Sequence, residues 1–314
     1  MTSQLPTLVY GSGNLMAGDV EEARQFLDLV EKLGIKQVDT ARIYGESEAV
    51  LGKLKSHERF LIDTKAPGFG APQAQSKENL PQALKTSFEA LGVEKVNIYY
   101  LHSPDLTTPF AETLAAINDL YKQGRFTHFG LSNFSAEQVE EVVAIAKENN
   151  YVLPTYYQGN YNPVSRHIES DLFPVLRKHS IKFLAYSPVA GGFLSKTPSQ
   201  IQTAAAGRWD PNSFIGALYT KLYVKPKLLE GLQEWSAISE EFGIPRSELA
   251  YRFVAYHSAL GKDDGIILGA TKLEQLEETV EGLRRGPLPE GAVERIDRVW
   301  KLVEKDAPKD NFRG

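Results

Sequence analysis

Short runs of β-branched and aromatic residues alternate along the chain with longer stretches in which apolar residues recur every three or four positions. The short runs predict strands at 8–10, 37–39, 60–65, 96–101, 127–131, 155–158, 182–186 and 265–268. The longer stretches predict helices near 20–33, 46–55, 79–91, 111–123, 135–149, 168–179, 228–242 and 272–281. This alternation predicts the α/β class, and the eight units in this order predict a closed (β/α)8 TIM barrel.

Local signals refine the boundaries of these units. Ser135 and Gln138 have the spacing of a capping box at the start of a helix, and Gly124 is placed to end another. The segment from 187 to 227, before the helix predicted to follow the seventh strand, is rich in Gly, Pro, Ser and Ala. We therefore predict a single barrel domain over 1–314, with a long loop at about 187–227 and an extra helix and tail at about 290–314.

Composition limits the partners. The 314 residues carry a formal net charge of −5, and the basic residues are scattered, which argues against a nucleic-acid partner. The chain has no cysteine, which excludes disulfides and thiolate metal sites, and we expect no metal. We see neither a secretory leader nor a long apolar span, so we expect a cytoplasmic protein without a membrane partner. The composition is compatible with a homo-oligomer as well as with a monomer.

The predicted strands share one property: each ends in a residue able to bind a ligand or do chemistry. In β/α barrels the active site is built at the carboxyl ends of the strands. Taken singly, each such residue is more often a helix cap or a solvated side chain, but the set on one rim favours a site. The residues are Gly11, Asp39, Lys65, His102, Ser132, Asn133, Gln158, Tyr186, Ser187, Gly269 and Thr271.

Four residues near these ends form a chemical unit: Asp39, Tyr44 five positions further on, Lys65 and His102. In this order and on these strands they resemble the tetrad of the aldo-keto reductases. Further segments resemble that family, from Gly130-Leu-Ser-Asn133, through the run that begins at Tyr186, to the run from Gly269 to Gln275. The resemblance covers essentially the whole chain and is closest to the aflatoxin-aldehyde-reductase branch.

The resemblance implies that Tyr44 is the proton donor in carbonyl reduction. A phenol has a pKa of about 10, and a lysine cation beside it, here Lys65, stabilises the phenolate. A buried lysine needs a counter-ion, which Asp39 supplies. His102 would orient the carbonyl oxygen of the substrate and assist movement of the proton.

The resemblance also implies NADP(H) as cofactor. Ser132, Asn133 and Gln158 match positions that hold the nicotinamide carboxamide, and Tyr186 matches the aromatic ring that stacks on the nicotinamide. The pyrophosphate loop matches Ser187, Pro188, Val189, Ala190, Gly191, Gly192, Phe193 and Leu194. The positions around the 2′-phosphate match Lys196, Arg208 and Thr271, and those towards the adenine match Gly269, Gln275, Glu278 and Thr279.

For the substrate the resemblance implies a small-molecule carbonyl compound bound by His102, Phe312 and Arg313. An arginine near the chain end matches a carboxylate bidentately, although a chain terminus is usually solvated. Gly13 stands where the family usually has Met, which widens the substrate side. We therefore expect an aldehyde reductase, with ketones as a further substrate class, that accepts bulky or aromatic carbonyls and prefers acidic ones only modestly.

Two alternatives remain at this point. Gly11-Ser-Gly13 followed by Asp39 also fits the start of a Rossmann dehydrogenase, although Met16 stands at the third glycine position. Channel β subunits resemble the same family and act by docking on a membrane protein rather than by turnover. Such subunits often carry an extra N-terminal segment, whereas only seven residues precede the first predicted strand here, so we favour a metabolic enzyme. Turnover of a test aldehyde separates the two.

Overall fold

The computed structural model describes residues 5–203 and 209–310. Eight parallel strands close into a barrel in chain order. They are β1 (Thr7–Gly11), β2 (Gln37–Asp39), β3 (Leu61–Ala66), β4 (Val96–Leu101), β5 (Phe126–Ser132), β6 (Pro154–Asn160), β7 (Lys182–Tyr186) and β8 (Gly265–Leu268). The predicted TIM barrel is confirmed, and the closed sheet rules out the Rossmann alternative.

The register of the strands decides which side chains face the barrel interior. Gly11 pairs with Asp39, Asp39 with Asp63, and Lys65 with Tyr100. Because side chains alternate between the two faces of a strand, Asp39, Asp63, Lys65 and Tyr100 all face inward. The interior is therefore polar along β2 to β4.

Helices surround this barrel. They are α1 (Val20–Lys32), α2 (Ser47–Lys53), α3 (Asn79–Leu91), α4 (Phe110–Lys122), α5 (Ala136–Glu148), α6 (Ile168–Asp171), α7 (Phe173–Lys178), α8 (Pro198–Gln202), α9 (Phe214–Tyr223), α10 (Pro226–Phe242), α11 (Arg246–Tyr256), α12 (Leu273–Arg284) and α13 (Glu290–Val303). No helix of the described residues is both long and apolar enough to cross a membrane.

The local start and stop signals are confirmed. The Ser135 hydroxyl accepts the backbone N–H of Gln138 at 3.2 Å, and the Gln138 side chain accepts the backbone N–H of Ser135 at 2.8 Å. Gly124 follows α4 with a φ of +74°. The helix predicted over 168–179 is instead divided into α6 and α7, because Pro174 lacks the N–H that would continue α6.

The prediction that 228–242 is the helix following β7 in the ring was wrong. That stretch is the core of α10, which packs against the C-terminal α13. The place in the ring belongs to α11, which directly precedes β8 and packs against α12. Its pattern is hard to recognise because α11 is buried on nearly every side, with Glu248 and Arg252 forming an internal ion pair of 2.8 Å.

The segment from 187 to 227 contains more secondary structure than its composition indicates. It holds a 3-10 turn at Ala190–Ser195, the short helix α8 and the helix α9. Aromatic rings of this segment pack against one another: the ring centroid of Trp209 lies 5.9 Å from that of Phe193 and 5.6 Å from that of Tyr219. The segment therefore lies over the carboxyl end of β7 with an apolar anchor of its own.

Candidate active site

The centre of the site is an ion pair inside the barrel between β2 and β3. Lys65 Nζ donates to both carboxylate oxygens of Asp39, at 2.7 and 2.6 Å, and to the backbone oxygen of Thr40 at 2.8 Å. Lys65 is 0% exposed and Asp39 2% exposed. Three acceptors around one ammonium replace its lost hydration, and this offsets the free-energy cost of burying a charge at this position.

Neighbouring side chains fix the carboxylate of Asp39. Gln158 Nε2 on β6 donates to its Oδ1 at 2.9 Å. On the other side, the buried Ser12 hydroxyl donates to the backbone oxygen of Asp39 at 2.9 Å, and it also contacts the Ser47 hydroxyl at 2.8 Å. Ser12, which follows β1, and Gln158 on β6 therefore hold the end of β2 in place.

The loop after β2 carries Tyr44 over the lysine. Lys65 Nζ lies 5.2 Å from the centroid of the Tyr44 ring. The loop turns sharply at Gly45, whose φ is +51° and where an added Cβ would approach the Met16 backbone oxygen to 2.6 Å. Only glycine fits that close contact, so Gly45 fixes the path of the chain that brings Tyr44 to the centre.

His102 follows β4 and faces Tyr44, with 5.7 Å between ring centroids. On its other side lies Phe69, at 4.7 Å and edge-on. Phe69 has a φ of +57°, and its backbone N–H donates to the Ser103 hydroxyl at 2.7 Å. His102 is 5% exposed, and within the described residues nothing forms a hydrogen bond with its Nδ1.

Burial and charge set the protonation states of these groups. Burial alone lowers the pKa of Lys65, but the charge of Asp39 and the phenol of Tyr44 oppose it, and the pKa is raised above its ordinary value. Burial, followed by the charge of Lys65, holds the pKa of His102 well below its ordinary value. At neutral pH the site therefore presents a lysine cation beside a neutral imidazole, which has one donor and one acceptor nitrogen.

The residues that we predicted to bind the nicotinamide do come together. Ser132 on β5 pairs in register with Gln158 on β6. Asn133, in the left-handed conformation with a φ of +60°, donates through Nδ2 to the His102 backbone oxygen at 2.8 Å. Its Oδ1 accepts the Tyr186 hydroxyl at 2.8 Å. A set of amide and hydroxyl groups thus lies directly beside the tetrad.

The loop after Tyr186 contains a cluster of left-handed residues: Ser187, Ala190, Gly191 and Gly192. At Gly191 an added Cβ would lie 2.0 Å from the Tyr219 ring, so only glycine fits there. Val189 and Pro188 belong to the same turn, and Phe193 and Leu194 are fully buried beneath it. Lys196 follows, partly exposed, in extended conformation.

The residues predicted at the adenine end lie on the surface after β8. Gly269, Thr271, Gln275 and Glu278 are exposed. The Thr271 backbone N–H and hydroxyl both donate to Gln275 Oε1 at 3.0 Å, and the Thr279 hydroxyl donates to the Gln275 backbone oxygen at 2.7 Å. These contacts shape the first turns of α12.

Three predicted residues, Arg208, Phe312 and Arg313, lie outside the described residues. The chain leading to the last two is described up to Asp310, which is 6% exposed. The backbone oxygen of Pro308 accepts the buried Ser165 hydroxyl at 2.7 Å. Because Ser165 lies in the loop that follows β6, this contact brings the C-terminal chain to the catalytic rim. Burial raises the pKa of Tyr186, and the charge of Asp310 raises it further.

Comparison of the sequence with known proteins identifies a family. The profile of the Aldo/keto reductase family matches residues 7–301. The chain belongs to the aldo/keto reductase family. As a member it is an oxidoreductase, and the family acts on small carbonyl substrates.

Individual relatives agree with this placement. The chain is 39% identical to "Oxidoreductase sirO" of Leptosphaeria maculans, over 96% of each chain. It is 36% identical to "Aldo-keto reductase family 7 member A3" of Homo sapiens, over 88% of this chain and 87% of that protein. It is 34% identical to the human "Aflatoxin B1 aldehyde reductase member 4", over 88% and 87% of the two chains.

The predictions from sequence left two residues of this aldo/keto reductase site without a role. Phe69 packs on His102, and its signal was an aromatic residue four positions after a strand-end lysine. Asp63 is wholly buried inside the barrel, and strand alternation from Lys65 was the signal for it. Neither signal identifies a function before the strands are paired.

Proposed function

We propose that this protein reduces aldehydes to alcohols with NADPH, with Tyr44 as the proton donor. The observation that carries the proposal is the buried Lys65 ammonium, held by Asp39 on one side and facing the Tyr44 ring on the other. A cation without hydration acts strongly on a neighbouring phenol because little solvent screens it. A buried ion pair adds little to the stability of a fold, so a role in proton transfer explains this arrangement better.

The neutral His102 supports the same chemistry from the opposite side. A carbonyl oxygen that lies between the Tyr44 hydroxyl and His102 receives hydrogen bonds from both groups, and the Tyr44 proton moves to it as the alcohol forms. An imidazolium would compete with Tyr44 as acid, and the lowered pKa of His102 prevents this. His102 therefore orients the substrate, Tyr44 protonates it, and Lys65 stabilises the resulting phenolate.

The neighbouring residues fit a nicotinamide cofactor. Ser132, Asn133 and Gln158 supply the donors and acceptors that a carboxamide requires, and the partly buried Tyr186 supplies a flat ring beside them. When bound, NADPH supplies the hydride for the carbonyl carbon. The left-handed turn at 187–192 allows close approach of the backbone to a pyrophosphate.

The preference for NADPH over NADH rests on Lys196, Thr271 and Arg208. Lys196 and Thr271 follow β7 and β8, which are neighbours in the barrel, and both are accessible to a ligand. Cations and a hydroxyl suit a dianionic 2′-phosphate and have no comparable partner in NADH. Glu278 and Thr279, on the helix α12 that follows Thr271, would lie towards the adenine.

The apolar mouth of the site favours bulky or aromatic carbonyl substrates. Four large apolar side chains on the loops after β1 to β4 are substantially exposed: Met16 at 47%, Ile43 at 42%, Phe69 at 42% and Leu106 at 76%. Exposed apolar side chains in loops at one rim favour a binding site there. Beside it, an added Cβ at Gly13 would meet no atom within 4 Å, so the substrate side is open.

The test is to follow NADPH consumption with a panel of aldehydes and ketones and to identify the alcohol formed. We expect turnover of aromatic aldehydes such as 4-nitrobenzaldehyde, slower turnover of ketones, and weaker activity with NADH. Absence of turnover across the panel, with intact folding and NADPH binding, would contradict the proposal and favour a regulatory role.

A further inference from the structure

The barrel interior contains a second carboxylate close to the catalytic ion pair. Asp63 lies two positions before Lys65 on the same face of β3 and pairs in register with Asp39 on β2. It is 0% exposed. Strand geometry therefore places two buried acids beside a single buried lysine.

The contacts of Asp63 are unlike those of other buried acids in the barrel. Its carboxylate accepts the side-chain amides of Gln37 and Asn97 and, at 3.1 Å, the backbone N–H of Ile98. All three donors are neutral. Among the described residues Asp63 forms no salt bridge, whereas Asp39 has Lys65 and Asp264 has Arg177.

We propose that Asp63 is a positioning residue for catalysis: its charge adds to that of Asp39 beneath the Lys65 ammonium and so sets the acidity of Tyr44. The inference rests on the proposed role of Tyr44 as proton donor. The three donors satisfy both oxygens of Asp63 without neutralising the charge of an ionised carboxylate. That charge therefore acts on the nearest buried cation, which is Lys65 two positions further along β3.

Asp63 can change its charge near neutral pH. Burial is the largest cause and the charge of Asp39 the second, and together they raise the pKa of Asp63 to about 7. The hydrogen bonds from Gln37 and Asn97 and the charge of Lys65 lower it in part. The titratable or charged groups that face it from the other strands and from its own are Asp39, Lys65, Tyr100, His128, Tyr156 and Lys182. Among the basic groups of this set, Lys65 is the one in contact with the catalytic phenol.

The sign of the effect follows from the charges. Above its pKa, ionised Asp63 weakens the positive field of Lys65 at Tyr44, which keeps the phenol protonated to higher pH. Carbonyl reduction needs the protonated phenol and therefore declines on the alkaline side as Tyr44 ionises. Replacing Asp63 by a neutral residue should move this decline to lower pH.

The experiment compares the intact protein with Asp63→Asn and with Asp63→Ser, whose hydroxyl can still accept the Ile98 N–H. The pH dependence of kcat/KM with NADPH and 4-nitrobenzaldehyde is measured from about pH 6 to about pH 10. We expect the alkaline limb to move to lower pH by about one pH unit in both variants, which corresponds to about 1.4 kcal/mol of interaction with the removed charge. The control is Asp264→Asn, which alters a buried carboxylate that also accepts a strand N–H, from Phe183 at 2.7 Å.

A second readout needs no cofactor. Protein labelled with [13Cζ]tyrosine is titrated by NMR, and the Tyr44 resonance is assigned by its loss in Tyr44→Phe. We expect Tyr44 to ionise at lower pH in both neutral variants than in the wild type and in Asp264→Asn. A purely structural Asp63 would lower the melting temperature and leave both titrations unmoved, which would overturn the proposal.

The two levels of inference fail in different ways. A wild type that turns over aldehydes with a Tyr44-dependent limb, together with unshifted limbs in both Asp63 variants, overturns only the role of Asp63. A wild type without such a limb overturns the role of Tyr44 and, with it, that of Asp63.

Discussion

The two ends of the barrel each hold a buried carboxylate paired with a cation, and they differ in what else the cation touches. At the carboxyl end Lys65 is enclosed, and beyond Asp39 and Thr40 it faces the rings of Tyr44 and Tyr100, at 5.2 and 5.7 Å. At the amino end, the side chain of Arg177, which pairs with Asp264, is 40% exposed.

The amino-end pair has a structural task. Asp264 accepts the backbone N–H groups of Phe183 and Gly261 as well as the Arg177 guanidinium at 3.0 Å, so it ties the start of β7 to the chain that enters β8. The lysine is enclosed beside a phenol that can exchange a proton, whereas the arginine faces acceptor oxygens, the Phe173 ring and solvent. The difference shows that a buried ion pair identifies chemistry only through its remaining neighbours.

The largest expected effect tests the carboxyl end directly. Tyr44→Phe should lower kcat by roughly 10²–10⁴-fold with little change in cofactor affinity, because only the transferred proton is removed. Lys65→Met should also impair turnover through the loss of the cation. The matched control is Tyr121→Phe on the outer surface of α4, where the tyrosine is 42% exposed. Near-normal turnover by Tyr44→Phe would mean that the ion pair at the carboxyl end does not serve proton transfer and differs from the amino-end pair in no functional respect.

A smaller effect is expected at the proposed binding site of the 2′-phosphate. Arg208→Ala should weaken NADPH binding roughly ten- to a hundredfold, the equivalent of one charge-assisted contact, and should leave NADH binding nearly unchanged. Dissociation constants for both cofactors, measured by calorimetric titration, test this. Arg24→Ala on α1, an exposed arginine, is the control. Equal losses for both cofactors would place the phosphate site elsewhere.

At the amino end the effect should appear in stability and not in turnover. Asp264→Asn should reduce the free energy of unfolding by about 1–3 kcal/mol, because buried N–H groups lose a charged acceptor while Arg177 can rehydrate. Chemical denaturation and kcat/KM are measured together. Glu230→Gln, which breaks an exposed pair with Lys227, should change stability by less than about 1 kcal/mol. A selective loss of turnover in Asp264→Asn would contradict a purely structural role.

The smallest effect concerns the chain end. Arg313→Ala should reduce kcat/KM modestly for succinic semialdehyde and leave 4-nitrobenzaldehyde unaffected, because a guanidinium pairs with a carboxylate and an apolar mouth does not need it. The approach of Pro308 to Ser165 brings the chain towards the rim and supports this expectation. An equal response to both substrates would mean that the C-terminal residues do not contact the substrate.

Much of the candidate site was predictable because its signals are local. Short runs of β-branched and aromatic residues predicted the eight strands, and β/α barrels place catalytic groups at strand ends, so the sequence assigned Asp39, Lys65 and His102 to one rim. The capping box at Ser135 required only hydrogen bonds within one turn. In each case the deciding interactions lie within a few residues of one another.

Pairing between distant residues decided the rest. The packing of α11 against α12 in the ring is an example. Glu248 of α11 pairs with Arg252 and with Arg285, which follows α12, and these pairs allow charged residues of α11 to be buried. In the same way, Asp63 and Asp264 are both acids of the strand region in the sequence, and only strand register and burial place one under Lys65 and the other against Arg177. The sequence determined the barrel and its catalytic rim through local periodicity; the tertiary structure decided which charges meet, because pairing depends on contacts between distant parts of the chain.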